Sequence, residues 1–231
     1  MSMTHFPHGL TTADASSTLG EYGAPDPAKW HTYFNDFDTY VVGDWTITTT
    51  EAGGSSATEA LANVDGGVLL ITNDTNDNDA DFFQKVGESF KFEVGKRLIF
   101  KMRFAVNEVI QSDVVLGLQI TDTTPLAVSD GVYFLKSDGA ATTDFIVAKG
   151  STLTTTSSVA TLADDTYAIL GFAYDGVDNI DIFVDDVRVG SSVTTNLPDD
   201  EELTISFGIQ QGEATNAKTL SVDYIFVAKE R

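Results

Sequence analysis

Cysteine is absent from the 231-residue chain, which excludes a disulfide framework, a thiolate zinc site and a cysteine nucleophile. Histidine is nearly absent: His5, His8 and His31 all fall within the first 31 residues. A Ser-His-Asp relay or a His-carboxylate metal site built only from later residues is therefore excluded. Positive charge is scarce as well, with 13 Lys and Arg against 35 Asp and Glu and a formal net charge of −22. A nucleic-acid partner needs a basic footprint to displace counterions, and an anionic membrane surface needs the same, so neither is expected. Apolar runs such as Val68-Leu69-Leu70-Ile71 are short, and none is long enough to span a bilayer as a helix. The start, Met1-Ser2-Met3-Thr4-His5-Phe6-Pro7, lacks the basic and apolar regions of a signal peptide, which predicts synthesis in the cytoplasm without export. Neither G-x-x-x-x-G-K-[ST] nor G-x-G-x-x-G occurs, so no phosphate cradle and no cofactor is expected.

What is present is alternation. Leu98, Phe100, Met102, Phe104 and Val106 alternate with Ile99, Lys101, Arg103 and Ala105, and Val114, Leu116, Leu118 and Ile120 with Val115, Gly117 and Gln119. The same period of two runs through Leu203–Gln210 and Leu220–Ala228. Each stretch offers one apolar face and one wetter face, as antiparallel strands packed in two layers do. Asp65-Gly66-Gly67, Ser137-Asp138-Gly139 and Asp175-Gly176 supply turns, and Asp185-Asp186 divides two short strands as a tight hairpin does. About a dozen strands with no helical stripe and no fixed repeat predict an all-β, two-sheet antiparallel jelly-roll sandwich over residues 31–231. Hydrophobic residues make up 42% of the chain, enough to fill its core.

Residues 1–30 read differently. Three of the five prolines lie there (Pro7, Pro25, Pro27) with Gly9, Gly20 and Gly23, which predicts an extended N-terminal arm. A solvated tail has little use for large apolar side chains, yet Phe6, Leu10, Leu19, Tyr22 and Trp30 are spaced along it. They either tuck back onto their own domain or pack on another subunit; for the second case they are, together with His8, the candidate partner-binding residues.

Catalytic carboxylate pairs need two acids 5–10 Å apart on one face. Here the acids gather in turn-like clusters, Asp77, Asp79 and Asp81, Asp164-Asp165, Asp185-Asp186 and Asp199-Asp200-Glu201-Glu202, which places them on solvated loop tips. Asp74, Asn76 and Asn78 match the first three ligand slots of a D-x-[DN]-x-[DN] calcium loop, but Asp79 stands where glycine is needed and Lys85 where the closing glutamate belongs. The segment is read as an Asn/Asp-rich turn, and no metal site is expected.

Two segments resemble the concanavalin A-like jelly roll. Tyr33-Phe34-Asn35-Asp36-Phe37-Asp38 followed by Asp44-Trp45-Thr46-Ile47 is similar to the F-x-D-D-F…W opening of laminin-G-like and laminarinase-like domains. Ile180-Asp181-Ile182-Phe183-Val184-Asp185-Asp186-Val187-Arg188-Val189 is similar to their "YVDG-V" hairpin, with Asp186 at the usual glycine. Their E-x-D-x-x-E catalytic strand is missing, so their hydrolytic activity is not implied. The whole chain also resembles tailed-bacteriophage virion structural proteins, through Phe6-Pro7-His8-Gly9-Leu10-Thr11, Pro25-Asp26-Pro27, Asp44–Gly53, Gly117–Leu126 and the closing Val222–Arg231. That resemblance implies a capsid decoration or cement protein that is not an enzyme. It would sit on the virion's capsid surface and bind the major capsid protein and copies of itself as a homotrimer. The alternative expectation is a carbohydrate-binding module of a tail fibre or spike, with calcium as an aid; a glycosidase or lyase ranks last.

Overall fold

The computed structural model describes residues 29–53 and 56–231. Its strands are β1 (Trp30–Asn35), β2 (Trp45–Thr50), β3 (Thr58–Leu61), β4 (Leu69–Thr72), β5 (Ala80–Lys85), β6 (Leu98–Val106), β7 (Ser112–Gln119) and β8 (Gly131–Lys136). They continue as β9 (Thr142–Lys149), β10 (Thr152–Thr161), β11 (Ala168–Tyr174), β12 (Asn179–Val184), β13 (Val187–Val193), β14 (Thr204–Gln211) and β15 (Thr219–Glu230). Only two short 3-10 turns, Val42–Asp44 and Pro125–Ala127, interrupt them among the described residues.

The strands form two sheets, as the alternation requires. The eight-stranded sheet runs β13-β12-β11-β6-β15-β4-β3, with β1 also paired to β15. The seven-stranded sheet runs β10-β9-β8-β7-β14-β5-β2. All pairings between these strands are antiparallel. Strand β15 is the organiser of its sheet: β6 lies along one flank, and β4 and β1 share the other at successive positions.

The inward residues of both sheets interdigitate in one core. Phe83 and Phe207 stack with centroids 5.3 Å apart, and Trp45 meets the Phe207 ring edge-on at 5.1 Å. Towards the other end, Phe100, Phe134, Phe145 and Phe172 form a second aromatic group. Each such ring contributes about 1.5–3 kcal/mol when fully buried, and the edge-on and offset arrangements add to that. Gly117 is required where β7 crosses β8, because a Cβ there would stand 2.5 Å from the Tyr133 Cα. The Asp185-Asp186 hairpin forms as expected, with φ of 51° and 66°, the left-handed pair that a two-residue turn demands.

One expectation fails. Trp30, assigned to the arm, is the first residue of β1, and its ring is buried against Ile99, Ala173, Phe183 and Ala228 on the outer side of the eight-stranded sheet. Backbone pairing to Glu230 holds it there, and the Arg97 guanidinium covers the ring at 5.3 Å. Its side chain is committed to its own fold and is not free for a partner. The other five candidates, Phe6, His8, Leu10, Leu19 and Tyr22, lie outside the described residues.

Candidate functional site

On its outward face the middle of the seven-stranded sheet is covered. Segment 120–130 lies over it, and Ile120, Leu126 and Val128 pack on Phe82, Val115, Tyr133, Ile146 and Ala148. Two buried amides pin the segment. Gln84 donates to the Ile120 carbonyl (2.9 Å) and the Ser206 hydroxyl (2.9 Å) and accepts from the Asp122 N–H (2.9 Å). Gln119 donates to the Pro125 carbonyl at 2.8 Å. At the opposite end of β7, the Asp113 carboxyl is pushed above its usual range by burial.

The Asn/Asp-rich turn is closed by its own amides. Asn76 donates to Asp74 (3.2 Å) and Asp79 (3.3 Å), and Asp79 also accepts from the Ala52 N–H at 2.6 Å. The Asn76 amide thus ties the two carboxylates of the turn together. Among the described residues no group of three acidic or histidine side chains is arranged to hold a metal ion.

A carboxylate pair that the sequence reading missed lies beside this turn. Asp81 faces inward from β5, is fully buried, and accepts from the Thr49 hydroxyl at 2.5 Å. Burial pushes its carboxyl up to about 6; the Thr49 bond opposes this, whereas the charges of Glu59 and Glu51 and the contact with Glu59 add to it. The Tyr40 hydroxyl, buried with no hydrogen-bond partner, is pushed up to about 12, mostly by burial and then by Glu59 and Asp81. The expectation that Asp81 stands with Asp77 and Asp79 on a solvated loop tip fails: it is the second residue of β5, whose pairing with β14 and β2 turns it inward.

A partly enclosed cavity opens beside β1, between the two sheets. It measures about 130 Å³ and is walled by His31, Tyr33 and Phe90, with Lys85, Ser89 and Thr204 around it. Alternation along β1 turns His31 and Tyr33 to this side, the pairing of β2 with β5 brings Lys85 to Trp45, and a bridge from Phe90 to Leu203 closes the floor. The Lys85 ammonium lies 5.2 Å from the Tyr33 ring centre and 5.8 Å from that of Trp45. It has no carboxylate within ion-pair distance among the described residues. The His31 ring packs on Phe90 at 4.9 Å, and burial, then Arg231 and Lys229, lower its pKa and keep it neutral. An ammonium backed by two rings, a neutral imidazole and hydroxyls is equipped to bind a polar ligand with an apolar face. Of the sequence candidates this site contains none. Its residues come from four separated segments, and no local motif links them.

No protein-family profile matches the chain, and no curated sequence matches it significantly. Solved structures do. An endo-1,3-β-glucanase from Streptomyces sioyaensis is 14% identical with a TM-score of 0.63, covering 90% of this chain and 99% of that one. A protein of unknown function from Shewanella oneidensis MR-1 is 18% identical with a TM-score of 0.62, covering 96% and 90%. An endo-β-1,4-glucuronan lyase from Trichoderma reesei is 12% identical with a TM-score of 0.56, covering 84% and 94%. The structures matched are mostly enzymes, which overturns the expectation that the chain is not one: its fold gives no ground for setting catalysis aside. At these identities the likeness concerns the fold. The chain is a concanavalin A-like jelly-roll sandwich, the fold shared by family 16 glycoside hydrolases and a carbohydrate recognition domain.

Proposed function

We propose that the protein recognises carbohydrate at the cavity beside β1. The observation that carries this reading is the Lys85 ammonium, held over the Tyr33 and Trp45 rings at the cavity with no carboxylate partner among the described residues. Sugar rings present axial C–H groups to aromatic faces and hydroxyls to ammonium, hydroxyl and imidazole groups, and the cavity offers all of these. The fold lends further support, since the structures it matches include glucanases and a carbohydrate recognition domain. The test is titration of the purified chain with a panel of soluble polysaccharides. Saturable binding is expected, and Tyr33→Leu, which keeps an apolar side chain but removes the ring, is expected to weaken it about tenfold, the loss of one aromatic contact. Absence of binding to every glycan in the panel overturns the reading.

A second reading, capsid decoration, draws support from the resemblance to phage virion proteins and from one surface. Among the described residues, edge strand β13 pairs only with β12, and it exposes Val187, Val189 and Val193. Exposed apolar side chains on an open edge suit contact with another chain. In this reading the protein attaches to the major capsid protein on the virion surface as a homotrimer, with Phe6, His8, Leu10, Leu19 and Tyr22 as grips. Removing residues 1–28 is then expected to abolish attachment to particles while the sandwich stays folded by circular dichroism; full occupancy by the shortened chain defeats it.

A further inference from the structure

The chain carries a net charge of −22, yet its few cations are unevenly placed. Next to the cavity, a hollow of about 490 Å³ is lined by Lys29, Lys96 and Arg231, with Gly95 and Glu230. The topology explains the gathering. Pairing of β1 with β15 sets Lys29 and Arg231 side by side, with the Arg231 N–H on the Lys29 carbonyl at 2.8 Å, and sets Lys229 opposite His31. Turn 93–96 brings Lys96 to the same end. With Arg97 and Lys85, six of the 13 lysines and arginines surround this end of the molecule.

Some of these cations have acidic partners. Glu93 serves both Lys96 and Lys229, and Glu230 serves Arg97. Lys29 and Lys85 have no carboxylate within ion-pair distance among the described residues. The lowering of the His31 pKa by Arg231 and Lys229, second to burial, reports the same positive field. Distant acids do not cancel it, because exposed charges beyond a Debye length of about 8 Å are screened at physiological salt. The hollow is within the usual size range of small-molecule sites, and β1 links the two places, with His31 and Tyr33 at the cavity two and four residues beyond Lys29.

We propose that the ligand of this site is an anionic glycan, with its acidic groups over Lys29, Lys96 and Lys85 and a sugar ring against Tyr33. This rests on the carbohydrate reading above and names its ligand class. The test measures binding of the full chain to polygalacturonate, which carries carboxylates, to dextran sulfate, which carries sulfates, and to neutral laminarin, at 50 and 500 mM salt. At least tenfold tighter binding to one or both polyanions is expected, weakening about tenfold or more at high salt and in Lys29→Gln/Lys96→Gln. Both replaced side chains are at the surface, so the thermal midpoint of that variant is expected to stay unchanged. Polygalacturonate against dextran sulfate identifies which acidic group is recognised. Equal, salt-insensitive binding of laminarin overturns the anionic preference and leaves carbohydrate recognition standing. No binding to any of the three overturns this proposal and counts against the carbohydrate reading too. Salt-sensitive self-association without glycan binding overturns both in favour of a second copy's acidic loops as the occupant.

Discussion

Asp81 shows how a single side chain can set the pH response of a whole fold. Its carboxyl moves from 3.8 to about 6 because burial disfavours the anion and Glu59 touches it across the gap between the sheets. A raised carboxyl means that the folded chain holds a proton the unfolded chain has released. Stability from this residue is therefore complete below pH 3.8 and is lost as pH rises through about 6. Asp81→Asn keeps the acceptor for Thr49 and offers an amide donor to Glu59. It is expected to flatten this slope and raise stability above pH 6 by on the order of 2–3 kcal/mol. Urea unfolding at pH 4.5 and 8 checks it, and an unchanged difference between the two pH values would show that the pair does not share a proton.

Among the elements, segment 120–130 depends on β5 and β7 more than on itself. Three of the hydrogen bonds at Gln84 are made at once, two of them to this segment. Gln84→Ala removes all three and leaves the Ile120 carbonyl, Asp122 N–H and Ser206 hydroxyl to find new partners. A cost of about 2–4 kcal/mol is expected, with faster amide exchange confined to residues 120–130. Hydrogen exchange read by mass spectrometry checks this, and unaltered protection there would mean that the apolar contacts of Leu126 and Val128 suffice. At this scale much was legible in the sequence. Period-two alternation marks β6, β7, β14 and β15 because one face of each is packed, and Asp185-Asp186 marks its hairpin because few residues accept positive φ. Strand β3 was not legible: Thr58-Glu59-Ala60-Leu61 is short and mostly exposed at a sheet edge, so burial imposes no pattern on it. Trp30 was misread because prolines and glycines lead directly into β1, and what makes it a core residue is its pairing with Glu230, two hundred positions away. The cavity was invisible for the same reason, since His31, Lys85, Phe90 and Thr204 meet only once both sheets are in place.

The whole molecule is electrically lopsided. Acidic turns such as Asp199-Asp200-Glu201-Glu202 lie in solvent, while the end where β1 and β15 pair collects lysine and arginine. High net charge keeps copies apart and soluble, and a local basic hollow lets one end attract anions without altering that balance. The sheets also differ in what they present outward: the seven-stranded one is capped over its middle strands by its own chain, whereas the eight-stranded one leaves Phe34 exposed beside Tyr224 and, among the described residues, β13 at its edge. The place of β15 has a further effect. It lies between β6 on one side and β1 and β4 on the other, yet it follows all of them in the chain. On the ribosome, therefore, the earlier strands wait without their shared neighbour, and the larger sheet closes only when residues 219–230 have left the exit tunnel. Until then three strands hold an open slot for one ribbon, and assembly is a single late event rather than a gradual build-up.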